Sequence, residues 1–153
     1  MKIVLKSNGF NDGEMMPAKF SCDGENVSPP LSWDSVPEKA KTFAIICDDP
    51  DAPMKTWVHW VIFNIPSNVK ELKEGMKKDA VLGNKIIQGT TDFGKSGYGG
   101  PCPPGGTHRY FFKIYALDCE MNLKAATTKE QLLKAMEGHI LAQGELIGKY
   151  KRK

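Results

Sequence analysis

Three carboxylates and two histidines lie in the two stretches of this sequence where a turn-rich segment runs into a strongly β-prone one. The first stretch is Asp48-Asp49-Pro50-Asp51-Ala52-Pro53, followed by Trp57-Val58-His59-Trp60. The second is Gly97-Tyr98-Gly99-Gly100-Pro101-Cys102-Pro103-Pro104-Gly105-Gly106-Thr107-His108-Arg109-Tyr110. If the two stretches converge, His59, His108 and Tyr110 present N–H or O–H donors to one spot. A carboxylate from Asp49 or Asp51 would fix a histidine tautomer and favour its charged form. Pro101, Pro103 and Pro104 have no N–H and hold their loop open. The N–H groups of Gly100, Cys102, Gly105 and Gly106 are candidate inward donors, and a concave set of backbone donors binds an anion without formal charge. The plainer alternative is a tight surface loop beside two satisfied core histidines. Pairing a small anion with Asp49 has a cost, about 4 kcal/mol of repulsion at close range and intermediate dielectric. The site works if a histidine is protonated or screens the carboxylate.

The same residues admit other chemistry. His59, His108 and Asp49 form a 2-His-1-carboxylate set on paper, but they lie in separate segments without metal-site spacing. Cys22 or Cys102 near His108 would suit a thiol nucleophile of a hydrolase. No G-x-S-x-G turn accompanies them. A partner-binding regulator with no free small-molecule ligand is a further alternative. The expectation is a binding pocket, not an enzyme, with no catalytic residue, no metal and no cofactor.

The elements that must position these residues read as follows. Lys2 to Ser7 is a first strand. Residues 8 to 37, punctuated by Asn8-Gly9, Asp12-Gly13, Asp23-Gly24 and Pro29-Pro30, are loops and short extended pieces. Phe43 to Cys47 is a buried strand that stops at the carboxylate and proline cluster. Trp57 to Ile65 is a strand inside the fold. Strict alternation puts Trp57, His59, Val61, Phe63 and Ile65 on one face and Val58, Trp60 and Ile62 on the other. Residues 66 to 84 are a polar surface connection. Arg109 to Leu117 is a third strong strand, with Tyr110, Phe112, Ile114 and Ala116 on one face and His108 sharing it. Thr128 and Gln131 form a capping box for one late helix, in which Leu132, Leu133, Met136 and Ile140 recur at helical spacing. Gly144 breaks that pattern, and Glu145 to Tyr150 returns as a strand. Strands with Gly/Pro turns and one late helix predict a mainly β sandwich with helical decoration.

The 153 residues fit one domain, residues 1–153, with no repeat or linker. A composition of 41% hydrophobic and 25% charged residues is globular, and the net charge of +3 leaves no basic, aromatic-interleaved stripe for nucleic acid. Much of the charge is the tail Lys149, Lys151, Arg152 and Lys153, a solvated end. No apolar run is long enough to span a bilayer, and no secretory signal is visible. Cys22, Cys47, Cys102 and Cys119 contain no C-x-x-C pair. The chain is therefore read as cytoplasmic with reduced thiols; a Cys22–Cys102 disulfide is compatible with the sequence but not deducible from it.

Both stretches resemble the paired signatures of the phosphatidylethanolamine-binding protein family, which includes the Raf kinase inhibitor-like proteins. Asp49-Pro50-Asp51-Ala52-Pro53 with Trp57-x-His59 is similar to the first signature. Gly97-Tyr98-x-Gly100-Pro101-x-Pro103-Pro104-x-Gly106-x-His108-Arg109-Tyr110 is similar to the second. Cys22-Asp23-Gly24 with Ser28-Pro29-Pro30-Leu31-x-Trp33, and Gly138-His139 through Tyr150, resemble the ends of bacterial and archaeal members. The resemblance implies an antiparallel Greek-key β-sandwich with a few short helices. It implies a pocket for phosphate-like anions or phosphorylated head groups, built from Asp49, His59, His108 and Tyr110, with Trp57 and Pro103 in the wall and Cys102 nearby. It also implies modulation of a kinase or protease. Val58 stands where many animal members carry a second histidine, the loop before His108 is shorter, and the chain ends soon after Tyr150. These departures match the short prokaryotic branch, whose members often pair, so a homodimer is an expectation.

Overall fold

Where β-prone runs are long, they form the large sheet; where they are short, tertiary pairing decides. The computed structural model describes residues 2–83 and 85–152; Met1, Asn84 and Lys153, the last counted above with the basic tail, lie outside them. The strands are β1 (Val4–Lys6), β2 (Leu31–Asp34), β3 (Thr42–Asp49), β4 (Trp57–Pro66), β5 (Glu71–Leu72), β6 (Val81–Leu82), β7 (Ile86–Gln88), β8 (His108–Leu117) and β9 (Ile140–Tyr150). One α-helix, α1 (Lys129–Met136), and a 3-10 turn at Ala18–Phe20 complete the elements. A three-stranded sheet has the order β1-β2-β5, and a six-stranded sheet has the order β6-β7-β4-β3-β8-β9. Every strand pair within the sheets is antiparallel. The run β7-β4-β3-β8 is a Greek key, because β8 returns by a long connection to lie beside β3.

The main core lies between the sheets. Leu5, Leu31, Trp33 and Leu72 of the small sheet meet Phe43, Ile45, Trp60, Ile62, Phe112 and Ile114 of the large one. A second core covers the other face of the large sheet. There Ala44, Ile46, Val61, Phe63 and Leu117 pack under Leu132 and Met136 of α1. Strand β3 sits between β4 and β8 and is buried along its whole length, which explains its unbroken apolar run. The predicted capping box is present: Gln131 N donates to Thr128 Oγ1 (3.3 Å) and Thr128 N to Gln131 Oε1 (3.0 Å). No helix among the described residues is long and apolar enough to cross a membrane.

Several expectations need correction. Strand β3 does not stop at Cys47 but runs on through Asp48 to Asp49, ending just before Pro50, because both carboxylates are compensated. Asp48 accepts from Lys129 at 2.7 Å and faces Lys113 at 3.6 Å, while Asp49 binds a histidine described below. Strict alternation fails in β4. The register against β3 slips between the pairs Cys47–Trp60 and Asp48–Val58, and again between Phe43–Ile65 and Ile45–Ile62. These β-bulges, at His59 and around Asn64 (φ 59°), put Val58, Val61 and Phe63 in the second core and Trp60, Ile62 and Ile65 in the first. Residues 66 to 84 contain β5 and β6. Ile140 opens β9 and is not helical, since the chain turns at Gly138 (φ 81°). Finally, Cys22 and Cys102 are joined in a disulfide, so the four thiols are not all reduced and one ground for the cytoplasmic reading falls away.

Gly144 does not end an element; it lies mid-way along β9, where the backbone of Ile3 crosses. Ile3 N donates to Gln143 O at 3.0 Å, and a Cβ on Gly144 would stand 2.1 Å from Ile3 O. Gly144→Ala is expected to destabilise the protein by about 1–3 kcal/mol through overpacking, read as a lower midpoint in urea or guanidinium unfolding.

Candidate functional site

Antiparallel pairing gathers three strand ends at one end of the large sheet. Asp49 at the end of β3 pairs with Trp57 at the start of β4, and Asp48 pairs with Phe111 near the start of β8. The termini carrying Asp49, Trp57, His59, His108 and Tyr110 therefore share one edge of the fold. The segments 50–56 and 89–107 close over it. The result is a pocket of about 360 Å³ whose wall contains all seven residues singled out above: Asp49, Trp57, His59, Cys102, Pro103, His108 and Tyr110. Ala52, Pro53, Phe93 and Pro104 complete it. The bulge at His59 is part of the construction. It sets His59 against the Tyr110 ring (5.1 Å, edge-on) while Trp60 still enters the core.

Both histidines of the pocket are fixed through Nδ1. His108 Nδ1 lies 2.7 Å from Asp49 Oδ2, so the carboxylate holds the ring proton there and leaves Nε2 for a guest. The other Asp49 oxygen accepts from Asp51 N at 2.8 Å. Asp51 in turn binds Arg109 three ways: from the backbone N (2.9 Å), Nε (2.9 Å) and Nη2 (2.8 Å). The Arg109 guanidinium holds the Asp51 carboxyl down at about 2. Asp51 thus clamps the 50–56 segment onto β8 instead of touching a guest. His59 Nδ1 lies 2.6 Å from Gly99 O, an obligate acceptor, so that nitrogen carries the proton. Burial lowers His59 below the ordinary histidine value, outweighing the Gly99 hydrogen bond and the nearby carboxylates, which raise it. The free protein therefore presents a neutral imidazole with a lone pair on Nε2.

Tyr110 differs. Its side chain is buried, and its hydroxyl has no hydrogen-bond partner among the described residues. Burial, then the Asp49 charge, pushes its ionisation far up, so it remains an O–H donor. The other such buried atom, Trp33 Nε1, belongs to the inter-sheet core and lines no pocket of this site.

The 89–107 segment is held from behind by the amino-terminal segment. Gly100 N donates to Asn26 Oδ1 (2.7 Å), Tyr98 Oη to Phe20 O (2.7 Å) and Cys22 N to Pro101 O (3.0 Å). The Cys22–Cys102 bond joins the same two segments. Gly100 has to be glycine, because a Cβ would stand 2.1 Å from Phe20 O. The expected cradle of backbone donors is not formed as predicted: Gly100 N is committed to Asn26, and Gly105 and Gly106 lie outside the pocket wall. Side chains carry the polar character instead.

Sequence reasoning missed Phe93. Its ring packs edge-on against Trp57 (5.7 Å) and His59 (5.3 Å), yet the residue is 41% exposed. Asp92 places it, by accepting from Val58 N at 2.7 Å. An aromatic residue in the polar turn Thr91-Asp92-Phe93-Gly94 was the available signal. Among the described residues no close three-donor set is found at the pocket, and the sulfurs of Cys22 and Cys102 are bonded to each other, so neither offers a thiol.

Comparison with known proteins agrees with this construction. Residues 6–151 match the family model described as phosphatidylethanolamine-binding protein. A Methanothermobacter thermautotrophicus relative described as a UPF0098 protein is 54% identical over 148 residues, covering 97% of this chain and 98% of the relative. A UPF0098 protein of Aquifex aeolicus is 47% identical over 149 residues, covering 95% of this chain and 86% of its own. The crystal structure of a Chlamydia trachomatis homologue of phosphatidylethanolamine-binding protein superposes with a TM-score of 0.92 at 41% identity, covering 99% of each chain. That of Escherichia coli YbcL, described as a member of the mammalian family, gives 0.92 at 33% identity over the whole of both chains. The Greek-key sandwich, the pocket at its strand ends and these matches along nearly all of its length make the chain a member of the phosphatidylethanolamine-binding protein family.

Proposed function

We propose that the pocket binds a small oxyanion, inorganic phosphate or the phosphate of a head group or side chain. The observation that carries this reading is Tyr110, a wall residue of the same cavity as His108, whose buried hydroxyl leans on the Asp49 carboxylate but meets no acceptor at full hydrogen-bond geometry among the described residues. A buried donor left unpaired costs about 1–3 kcal/mol, and a guest oxygen relieves that cost. His108 solves the problem of the nearby carboxylate. It is bonded to Asp49 through Nδ1, so a guest meets Nε2 and not the bare Asp49 charge. When His108 is protonated, Nε2–H becomes a second, charge-assisted donor.

The neutral His59 lone pair favours an oxyanion that still carries a proton, because a P–OH group can donate to it. Inorganic phosphate keeps such a proton at neutral pH, and a monoester regains one as the pH falls toward its second pKa of about 6; sulfate does not. Aromatic and proline walls keep the surroundings apolar, which strengthens these few contacts. The reading is of a binder, not a catalyst. Cys22 and Cys102 have no thiol to use as a nucleophile, and burial pushes the Cys47 thiol well above its ordinary range. Modulation of a kinase or protease would be the same chemistry presented on a protein. Exposed Met54 and Phe93 give such a partner an apolar rim beside the pocket.

Tyr110→Phe removes the donor without removing the ring. It is expected to weaken phosphate or phosphoethanolamine binding by about 1–2 kcal/mol, roughly 5- to 30-fold. Folding stability should hold or rise, since the orphaned hydroxyl is gone. Isothermal titration and thermal unfolding of the same variant check both halves, and equal affinity with wild type would remove the proposal.

Binding should also take up protons. The proton between the guest oxygen and His59 Nε2 is held more tightly in the complex than in either part, whichever atom carries it, so the complex holds more protons than its parts. Affinity therefore rises as the pH falls from about 8 to about 6. Titrations in buffers of different ionisation enthalpy are expected to show net proton uptake, and sulfate is expected to bind more weakly than phosphate. Proton release, or binding undiminished in a His59→Ala, His108→Ala double variant, would contradict the assignment.

A further inference from the structure

The two strands that end in the pocket's neighbourhood have another end, and it holds a different set of donors. Leu117, the last residue of β8, pairs with Ile140, the first of β9. One further backbone bond, Asp118 N to His139 O at 3.0 Å, continues that ladder beyond the strands. His139 N donates to Met136 O (2.9 Å), and Thr42 Oγ1 donates to Cys119 O (2.8 Å). The backbones of Asp118, Cys119 and His139 are therefore held by β3, β8, β9 and the end of α1.

Their side chains converge. One donor atom each from Asp118, Cys119 and His139 falls within 4.8 Å of the other two. Asp118 Oδ1 and His139 Nδ1 are 2.8 Å apart, and both side chains are reachable from solvent, at 42% and 45% exposure. An ion pair joins Asp118 and His139, and the Cys119 thiol hydrogen-bonds the same Asp118 carboxylate, so one carboxylate gathers both other donors. Cys119 is a half-exposed free thiol, whereas Cys47 is buried and Cys22 and Cys102 are bonded together.

We propose that Asp118, Cys119 and His139 form a binding site for a thiophilic divalent cation of the zinc type. Thiolate, imidazole and carboxylate are three of the ligand types that zinc takes in tetrahedral sites, with water able to fill the fourth position. A sulfur and a nitrogen ligand select zinc, cobalt or copper over magnesium and calcium, which prefer all-oxygen sets. Burial and the neighbouring Asp118 carboxylate raise the Cys119 thiol, so the metal-free protein holds S–H. On binding, the metal takes the place of the thiol proton, which leaves to solvent. Any proton shared between His139 and Asp118 at the nitrogen that ligates leaves in the same way. The donor atoms already lie within 4.8 Å of one another, and rotation of exposed side chains, with the Asp118–His139 contact opening, brings them around one ion.

Strand β8 spans residues 108–117, so this site lies about 30 Å from the pocket at ~3.3 Å per residue. It is independent of the oxyanion reading. The test is anaerobic titration of untagged protein, its Cys22–Cys102 disulfide intact, with cobalt(II), followed by competition with zinc. The expected result is one cobalt per chain with a thiolate-to-cobalt charge-transfer band in the near ultraviolet, displaced by zinc. Cys119→Ser should abolish the band, and His139→Ala should weaken binding at least about tenfold. The His59→Ala, His108→Ala variant should bind as wild type does. Absence of the band in wild type overturns the proposal without recourse to any variant. A band that survives Cys119→Ser, or cobalt binding lost only in the pocket variant, overturns it equally.

Discussion

A carboxylate at the buried end of a central strand has to meet a compensating group, and the Asp49–His108 hydrogen bond is how this fold meets that demand. Because successive residues of a strand face opposite sides, the pair Asp48-Asp49 serves two faces at once. Asp48 turns to the helical side and takes Lys129 of α1 at 2.7 Å. Asp49 turns to the pocket side and takes His108 at the same distance. One dipeptide thus ties α1 to the sheet and fixes the ring that a guest would meet. The register of β3 against β8 is what makes both contacts available, since Asp48 sits opposite Phe111, three residues into β8.

Around that bond the remaining parts act as supports. Asp51, two residues on, grips the backbone and guanidinium of Arg109 and keeps the proline-containing segment 50–56 against β8. On the opposite wall, the amino-terminal segment holds the glycine- and proline-rich stretch through Asn26, Phe20 and Cys22. The disulfide closes a sequence separation of 80 residues. A cross-link of that reach restricts the unfolded chain substantially, by about 2–4 kcal/mol in the usual range. It restrains a segment whose prolines supply no N–H and whose glycines would otherwise leave it loose.

How much of this could be read in the residues depends on whether a local rule or a tertiary contact decided the matter. Strand β8 was legible because its alternation is unbroken: Tyr110, Phe112, Ile114 and Ala116 do all enter the same core. Strand β4 was legible as a strand but not face by face. Bulges at His59 and near Asn64 shift the alternation, and only pairing with β3 reveals them. Strands β5 and β6, at two residues each, carry no periodic signal and exist only because a neighbour pairs with them. Gly144 misled for the same reason: it admits the Ile3 backbone, a contact across most of the chain. Asp49, His59, His108 and Tyr110 emerged because a carboxylate and polar rings flank two turn-rich segments, whereas Trp57, Cys102 and Pro103 came only with the resemblance to the paired signatures. Phe93 did not, because an aromatic ring in a polar turn has no partner in sight until Asp92 is seen anchoring Val58.

The same distinction explains the economy of polar groups in the pocket. In an apolar enclosure each unsatisfied polar atom is costly, so a folded protein spends hydrogen bonds on whatever it buries. Here His59 and His108 each have Nδ1 committed to the protein, and Asp49 has both oxygens engaged. What is left over is the far side of two imidazoles and one hydroxyl. Fixing the near atoms orients the far ones without further contacts, so the guest meets groups that need not reorganise. Trp57, Phe93 and prolines surround them with apolar wall. Selectivity in such a site comes from matching protons to lone pairs. A neutral His59 beside a protonated Tyr110 offers one acceptor and at least one donor, a pattern that, under the proposed function, a partly protonated oxyanion would complete and a bare one would not.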